Sequence, residues 1–430
     1  MSPRNIDDVS STHDPPPALA PIGNSTAGRQ QRARSRESAR SAERDFSPIV
    51  TPLALVLIAY PTIVVLEPSI RGPLLLGVTA LLLPLVLIRI KDIARPALLL
   101  MIFTAVYALS SWLGTNQSQG YVHTTALLCT GTAFITFAVY GSAILQFASV
   151  RALIIIIVLT NVVAISTANF TMNAAGATLL YVVAFGYLVL MRRQESNGGL
   201  IATLFFLSGM AIALSFEVRS LIVDSVLFIV AFYCATRLPK RAYWIGGITV
   251  SASVILGTIW FFLNIERSTF IAEASVRIRE WTGARVESGR DVLWPSILHA
   301  VSETPIFGLG AGALPRDVLT TQLSAHNYYL QVYMQVGLLG IGLLVAFLLS
   351  AWKRLSTATT GAGRFGSALF LLFLVHNGTE VLMFQNNTLI GVPAWCAIGL
   401  ALSLDTAAAS SESTPNELHK LENSRARSWH

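Results

Sequence analysis

Hydrophobic and polar stretches alternate along the chain to give twelve apolar runs, at roughly 49–66, 73–88, 96–113, 123–146, 152–167, 174–191, 200–216, 220–236, 243–263, 328–351, 366–384 and 388–404. Each run is close to the roughly 20 residues that a helix needs to cross the hydrocarbon core of a bilayer. The pattern predicts an all-α, polytopic membrane protein with about twelve transmembrane helices. Spans one to nine fall within 48–263 and spans ten to twelve within 328–404. Between them, residues 264–327 are too polar to span and too many for a turn, which predicts one large, partly helical loop. Two polar segments, 1–47 and 405–430, flank the whole.

Composition agrees with the pattern. The 430 residues are 53% hydrophobic and only 12% charged, against about 25% charged in soluble domains. Of the 53 charges, thirteen lie in 1–47, thirteen in 264–327 and seven in 405–430, leaving 20 for everything else. A secreted soluble protein, a nucleic-acid binder and a disulfide scaffold are excluded. Cys129, Cys234 and Cys396 all fall in apolar stretches and read as small membrane-buried residues.

The remaining charge sets orientation. An even number of spans puts both termini on one side. With the termini cytoplasmic, the short inner turns carry Arg89, Lys91, Arg95, Arg151, Arg192, Arg193, Arg237, Lys240, Arg241, Lys353, Arg354 and Arg364, and the short outer turns carry only Arg71 and Arg219. That imbalance follows the positive-inside rule, from which long loops are exempt, so 264–327 is expected outside, in the periplasm of a bacterial inner membrane. Residues 1–47, rich in Pro, Ser and Arg, cannot bury a core and read as a disordered cytoplasmic tail. No apolar h-region marks them as a signal peptide, and their arginines suit either solvent or anionic lipid. Residues 405–430 read as a second disordered tail. No internal repeat or inverted pair of broken helices is visible, which counts against a secondary transporter.

The long loop holds most of the chemistry. Ile271 to Trp281 has helix-forming composition. Ser288-Gly289-Arg290-Asp291-Val292-Leu293-Trp294 opens a second helix, with Ser288 a plausible N-cap and Asp291 placed well for the helix dipole. Pro305-Ile306-Phe307-Gly308-Leu309-Gly310-Ala311-Gly312 follows as a turn, and the chain returns to the membrane at Ala325-His326-Asn327-Tyr328-Tyr329-Leu330-Gln331, before Gly337-Leu338-Leu339-Gly340.

This ordered trio resembles the O-antigen ligase and Wzy polymerase superfamily of bacterial membrane glycosyltransferases, with its Gly-Arg-x-x-x-Trp helix, Pro-x-x-Gly-x-Gly turn and His-Asn-x-x-Leu return. Gly289, Arg290, Trp294, Pro305, Gly308, Gly310, His326, Asn327 and Leu330 fit that pattern. The likeness extends to Arg219-Ser220 at the outer start of the eighth span and to His376 and Glu380 in the eleventh. The first 200 residues share only topology. Gln335 departs from the pattern where many members carry an acid, as does Glu217-Val218 where Ser or Thr commonly precedes the arginine. The resemblance implies a GT-C-like fold and an inverting, metal-independent glycosyltransferase. Its donor would be an undecaprenyl-pyrophosphate-linked glycan and its acceptor a glycan or lipid-linked glycan. Its partners would be the bilayer and a flippase and chain-length regulator, with no nucleic acid.

The residues themselves support that chemistry. An arginine fork binds two phosphate oxygens at once and stays charged, and all six cations of the loop are arginines. Arg219 defies the positive-inside trend, which costs insertion energy unless it serves something; pairing with Glu217 or a headgroup is the bland alternative. Arg290, with Trp294 one turn on as a stacking face, is the second phosphate candidate, or a surface partner of Asp291 or Glu287. Arg71 reads as the structural partner of Glu67. His326 stands at the boundary of water and bilayer; histidine is the residue type that exchanges protons near neutrality, and the resemblance gives His326 the role of base. Taken alone it reads as an ordinary capping histidine; the two upstream motifs, and Asn327 as a substrate-binding neighbour, turn the reading to the base. Tyr329 shares the face of His326 and could line the substrate path, or belong to an interfacial aromatic belt.

Among the six acids of the membrane portion, Glu380 lies one helical turn from His376, so that both are expected on one face, orienting His326 or the acceptor, or simply pairing with each other. Asp224 is expected to bond Ser220 or a neighbouring helix. No metal site is persuasive and no cofactor is expected: His376 and Glu380 have ligand spacing, but the outer face has no acidic cluster.

Overall fold

The computed structural model describes residues 48–427 apart from 115, 168–171, 192–197, 217–218, 266, 283–288, 320–323 and 386; side chains are further left out at 92, 172–173, 198, 219–220, 281–282 and 410–427. The expectations for residues 1–47, Glu217 and Ser288 lie outside the described residues.

Every described element is helical. In chain order they are α1 (Pro48–Leu66), α2 (Arg71–Ile88), α3 (Ala94–Leu113), α4 (Gln117–Ile144), α5 (Ala148–Thr167), α6 (Met172–Met191), α7 (Gly198–Leu214), α8 (Arg219–Arg237) and α9 (Lys240–Asn264). The loop segment holds α10 (Thr269–Thr282), α11 (Arg290–Val301) and the single turn α12 (Pro315–Val318). Then come α13 (Tyr328–Leu355), α14 (Gly361–His376) and α15 (Thr388–Arg427). Among the described residues nine helices, α1–α6, α9, α13 and α15, are long and apolar enough to cross a membrane, and α7 and α14 are shorter apolar helices. The chain is a polytopic, multi-pass membrane protein.

Burial sorts the helices. The apolar windows of α4 and α15 are each 94% buried and that of α6 is 83% buried, whereas α5 and α9 are 22% and 17% buried. The centre is therefore α4 against α15, with α6 and the largely buried α14 beside them and the least buried helices, α5 and α9, at the rim. Small residues make the central contact possible: a Cβ on Gly399 of α15 would lie 2.6 Å from the Phe134 carbonyl oxygen of α4. Close backbone approach of this kind is how membrane helices gain packing energy without a hydrophobic drive. Beside it, the Ser142 amide donates to the Ser403 hydroxyl at 2.8 Å. At the rim, Asn161 of α5 is fully buried and donates to the Ile58 carbonyl of α1 at 2.7 Å.

Three elements depart from expectation. α13 is broken: Gly337 has φ 62° and ψ −158°, and the Pro305–Gly310 segment fills the break. Leu309 and Gly310 amides donate to the carbonyls of Met334 and Gln335, and the amides of Leu338 and Leu339 donate to those of Pro305 and Ile306, all at 2.7–3.1 Å. Backbone groups freed inside a membrane must find partners in the protein, and the glycine turn supplies them. A Cβ on Gly337 would lie 2.4 Å from the Ile306 carbonyl, and one on Gly308 2.7 Å from the Gly337 nitrogen, so the two glycines interlock. The eleventh apolar run, expected as one span to residue 384, stops being helical at His376. The chain beyond is irregular yet buried from Val381 to Gln385, tied to α15 by the Trp395 indole donating to the Met383 carbonyl at 2.8 Å. Lastly, α15 continues to Arg427 where 405–430 was expected to be a disordered tail. Ala, Glu, Leu and Lys favour helix there, and extending an existing helix needs no new nucleus.

Candidate active site

The turn after α14 collects the candidate residues. Asn377 is fully buried and braces the turn from within: its amide accepts from Leu382 N at 3.0 Å and donates to the Phe373 carbonyl at 2.7 Å. The four carbonyls of residues 377–380 then face the returning loop. Those of Asn377 and Glu380 accept from Tyr328 N at 2.9 and 3.1 Å, that of Gly378 from the Asn327 side chain at 2.8 Å, and that of Thr379 from Arg290 Nη2 at 3.0 Å.

His326 is held on both sides. Before it, the indole of Trp294 donates to the Ala325 carbonyl at 2.8 Å. After it, Asn327 caps α13 by accepting from Leu330 N at 2.9 Å. Between these clamps His326 adopts φ 46°, the one positive φ of a non-glycine residue among the described residues. Such backbone costs of order 1–3 kcal/mol and persists only where neighbours enforce it. Its Nδ1 lies 3.1 Å from Glu380 Oε2, its side chain is 32% exposed, and Nε2 has no partner among the described residues.

Glu380 bridges. Its other oxygen, Oε1, lies 3.8 Å from Arg290 Nη2, and the guanidinium sits 5.7 Å over the ring of Phe262 at the end of α9. Burial, the strongest influence on Glu380, opposes its ionisation. The hydrogen bond and charge of His326, then the charges of His376 and Arg290, together outweigh it and hold the carboxyl below its ordinary value. Burial pulls Arg290 below its ordinary value while Glu380 pushes it back, and a guanidinium remains charged at neutral pH.

Residues 204–345 match the family model of the O-antigen ligases. This is a likeness over part of the chain. It covers about a third of the sequence, from α7 through the loop into α13, and includes Arg219, Arg290, Trp294, His326, Asn327 and Tyr329; His376 and Glu380 lie beyond it. No curated protein matches the chain. The trio of motifs that suggested this superfamily in the sequence therefore lies inside the matched O-antigen ligase domain.

The structure brings together His326, Glu380 and Arg290 and revises other assignments. Trp294 is fully buried, its ring edge-on to Phe262, so it anchors the His326 loop and offers no face to a sugar. Asn327 is fully buried as a cap and does not reach the surface. Tyr329 is partly buried and donates to the Leu374 carbonyl at 2.8 Å. His376 and Glu380 do not share a face, because the chain leaves the helix between them: His376 turns inward, its Nδ1 3.0 Å from Asp224 Oδ2 of α8. The expected link from Asp224 to a neighbouring helix is thus to α14. Arg219 starts α8, with its side chain outside the described residues. Arg71 donates from Nε to Thr388 at 3.1 Å, and Glu67 caps the following turn through Ser69. Among the described residues no three His, Cys, Asp or Glu side chains converge on one point to hold a metal ion.

Gln335, read as a departure from the family pattern, is part of a buried network that composition did not reveal. Tyr107 donates to its Oε1 at 2.9 Å and its Nε2 donates to the Ala313 carbonyl at 3.1 Å. His123 of α4 adds a contact to the Ala311 carbonyl at 2.8 Å from Nδ1 and to Gln119 at 3.0 Å from Nε2. A proton on Nδ1 satisfies the Ala311 and Gln119 contacts, while Gln335 Nε2, 2.9 Å from the same Nδ1, gives its hydrogen to the Ala313 carbonyl. The network fastens the glycine turn to α3, α4 and α13, and the pairing of an acid-free position 335 with a distant histidine is its one trace in the sequence.

Proposed function

We propose that this chain is a glycosyltransferase that polymerises undecaprenyl-pyrophosphate-linked repeat units of an exopolysaccharide or O-antigen on the periplasmic face of a bacterial inner membrane, both termini being cytoplasmic. The observation that carries the reading is Glu380, which binds His326 on one oxygen and faces Arg290 with the other. A carboxylate on Nδ1 fixes the imidazole with its proton there and leaves the Nε2 lone pair for a substrate, the arrangement used in hydrolase triads.

In the proposed reaction an acceptor hydroxyl loses its proton to His326 Nε2 as its oxygen attacks the anomeric carbon from the face opposite the pyrophosphate. The bond from that carbon to the pyrophosphate oxygen breaks, the electron pair leaves with the pyrophosphate, and the anomeric configuration inverts. Arg290 and Arg219 meet the charge that develops on the leaving group, an electrostatic contribution that is commonly the largest. Charge is handled by arginine in this scheme, and no metal is invoked.

The acceptor decides the activity. Another lipid-linked repeat makes the chain a polymerase; lipid A-core makes it a ligase, and a protein hydroxyl an O-oligosaccharyltransferase, in that order of fit to the motif wording. A flippase and a chain-length regulator are the expected partners. A lipid-linked sugar transporter is favoured by one observation, the broken α13, but the glycine turn occupies that break. The test is replacement of Arg290 and His326 by alanine in the producing cell. Loss of polymer while lipid-linked repeats still reach the outer face supports glycosyl transfer. Accumulation of repeats on the inner face supports the transporter, and unchanged polymer overturns both.

A further inference from the structure

A carboxylate and an imidazole face each other inside the helix bundle, where ionisable side chains are expensive and usually serve a purpose. Asp224 and His376 are each 2% exposed and 3.0 Å apart, and the reaction proposed above gives neither a task. Their position suggests one. His376 is the last residue of α14, and its carbonyl accepts from Glu380 N at 3.0 Å. The four carbonyls that hold Tyr328, Asn327 and Arg290 therefore start from the residue that Asp224 grips. Asp224 belongs to the buried face of α8, with Leu221, Ser225 and Phe228, opposite the exposed Ile222, Val226 and Ile229. α8 begins with Arg219 five residues earlier, about 7.5 Å along the axis.

We infer that Asp224 and His376 form a positioning pair for Glu380, fixing the turn that carries it and so the carboxylate that His326 meets. The inference rests on the glycosyl-transfer reading. The charged groups that face His376 are Asp224 from α8 and Glu380 from its own turn. α6 adds the Tyr181 ring and α13 the Tyr329 hydroxyl, which is bound to Leu374. α9 offers Ile255 beside Gly378, and α15 offers Trp395 against Phe373. Glu380 in turn faces His326 and Arg290. Replacing both partners by neutral amides keeps two polar groups facing each other between the helices but removes the His376 charge that, with those of His326 and Arg290, holds the Glu380 carboxyl down.

The test uses full-length protein in proteoliposomes, with undecaprenyl-pyrophosphate-linked oligosaccharide extracted from the producing cells as donor and acceptor. Rates are measured against pH for the wild type, Asp224→Asn/His376→Gln, Glu380→Gln, and the triple combination. The pair variant is expected to elute as folded protein, to lose about tenfold in kcat, and to lose activity at higher pH than the wild type on acidification. In the Glu380→Gln background the same replacement is expected to change nothing further, because groups that act through one another are non-additive. A folded pair variant with wild-type kcat and pH profile overturns the inference, as does an equal loss with and without Glu380. Should the double replacement not fold, Asp224→Asn alone, which keeps the shape of the pair, carries the same comparison. The two readings fail separately: no glycan extension by the wild type removes the transfer reading itself, whereas extension by the wild type beside a wild-type-like pair variant removes only the role of the pair.

Discussion

His326 is held by two fully buried neighbours, Trp294 and Asn327, and this makes its support testable apart from its chemistry. Removing the imidazole with His326→Ala is expected to lower transfer by two orders of magnitude or more, the usual range for a positioned base, with no change in the amount of folded protein. Trp294→Phe keeps the packing on Phe262 but leaves the Ala325 carbonyl without its donor. A buried carbonyl left unpaired costs about 1–3 kcal/mol, so this variant should melt at lower temperature, by differential scanning fluorimetry, and lose activity as well. Glu380 gives a pH signature. Its carboxyl is held below the ordinary value of 4.5, so its pairing stabilises the fold fully above that value, and the contribution is lost as pH falls below it through the lowered value. Thermal melting followed between about pH 3 and 7 should show an acid decline that Glu380→Gln removes. The sequence displayed His326 and Arg290 because motif spacing did. It misplaced Trp294 and Asn327 because an aromatic or amide beside a catalytic residue looks the same on the chain whether it touches substrate or holds the backbone. Only burial separates the two.

At the scale of elements, helix positions were legible almost throughout, since apolar run length is set by the bilayer. Three places were not. The break in α13 lies inside an unbroken apolar run, and its cause is the Pro305–Gly310 segment, whose hydrogen bonds reach across some thirty residues of sequence. The end of α14 at His376 was hidden because the buried chain from Val381 to Gln385 is as apolar as a span while its backbone is satisfied by Asn377 and Trp395. The helical extension of α15 was hidden because polar composition alone suits both tail and helix. The interlock at Gly337 is the sharpest of these to test. Gly337→Ala adds a Cβ 2.4 Å from the Ile306 carbonyl and strains a positive φ, which should displace the glycine turn. Detergent-solubilised Gly337→Ala is expected to lose several degrees of melting temperature and most of its transfer activity, while Gly342→Ala, where a Cβ meets nothing within 4 Å, should match the wild type.

Over the whole molecule, α4 and α15 hold the bundle, and the site hangs from its rim on α11, α13 and the turn after α14. A bulky residue at the central contact should therefore act globally. Gly399→Leu places a side chain against the Phe134 carbonyl and is expected to leave little monodisperse protein by size-exclusion chromatography. Asn161→Ala at the rim loses hydrogen bonds to Thr62 and Ile58. Such polar links in membranes are worth about 0.6 kcal/mol on average, so that variant should stay folded and active.

The order in which the chain is made adds one consequence. The matched O-antigen ligase domain ends at residue 345, yet the carbonyls and carboxylate that set His326 come from residues 377–380, and those are fastened through Met383 to Trp395 of the last helix. Ribosomes therefore finish the histidine, the arginines and the whole matched region before the segment that aligns them. Under the proposed reading, the contacts that align His326 can form only once α15 is in place, because Trp395 fastens the segment that supplies them.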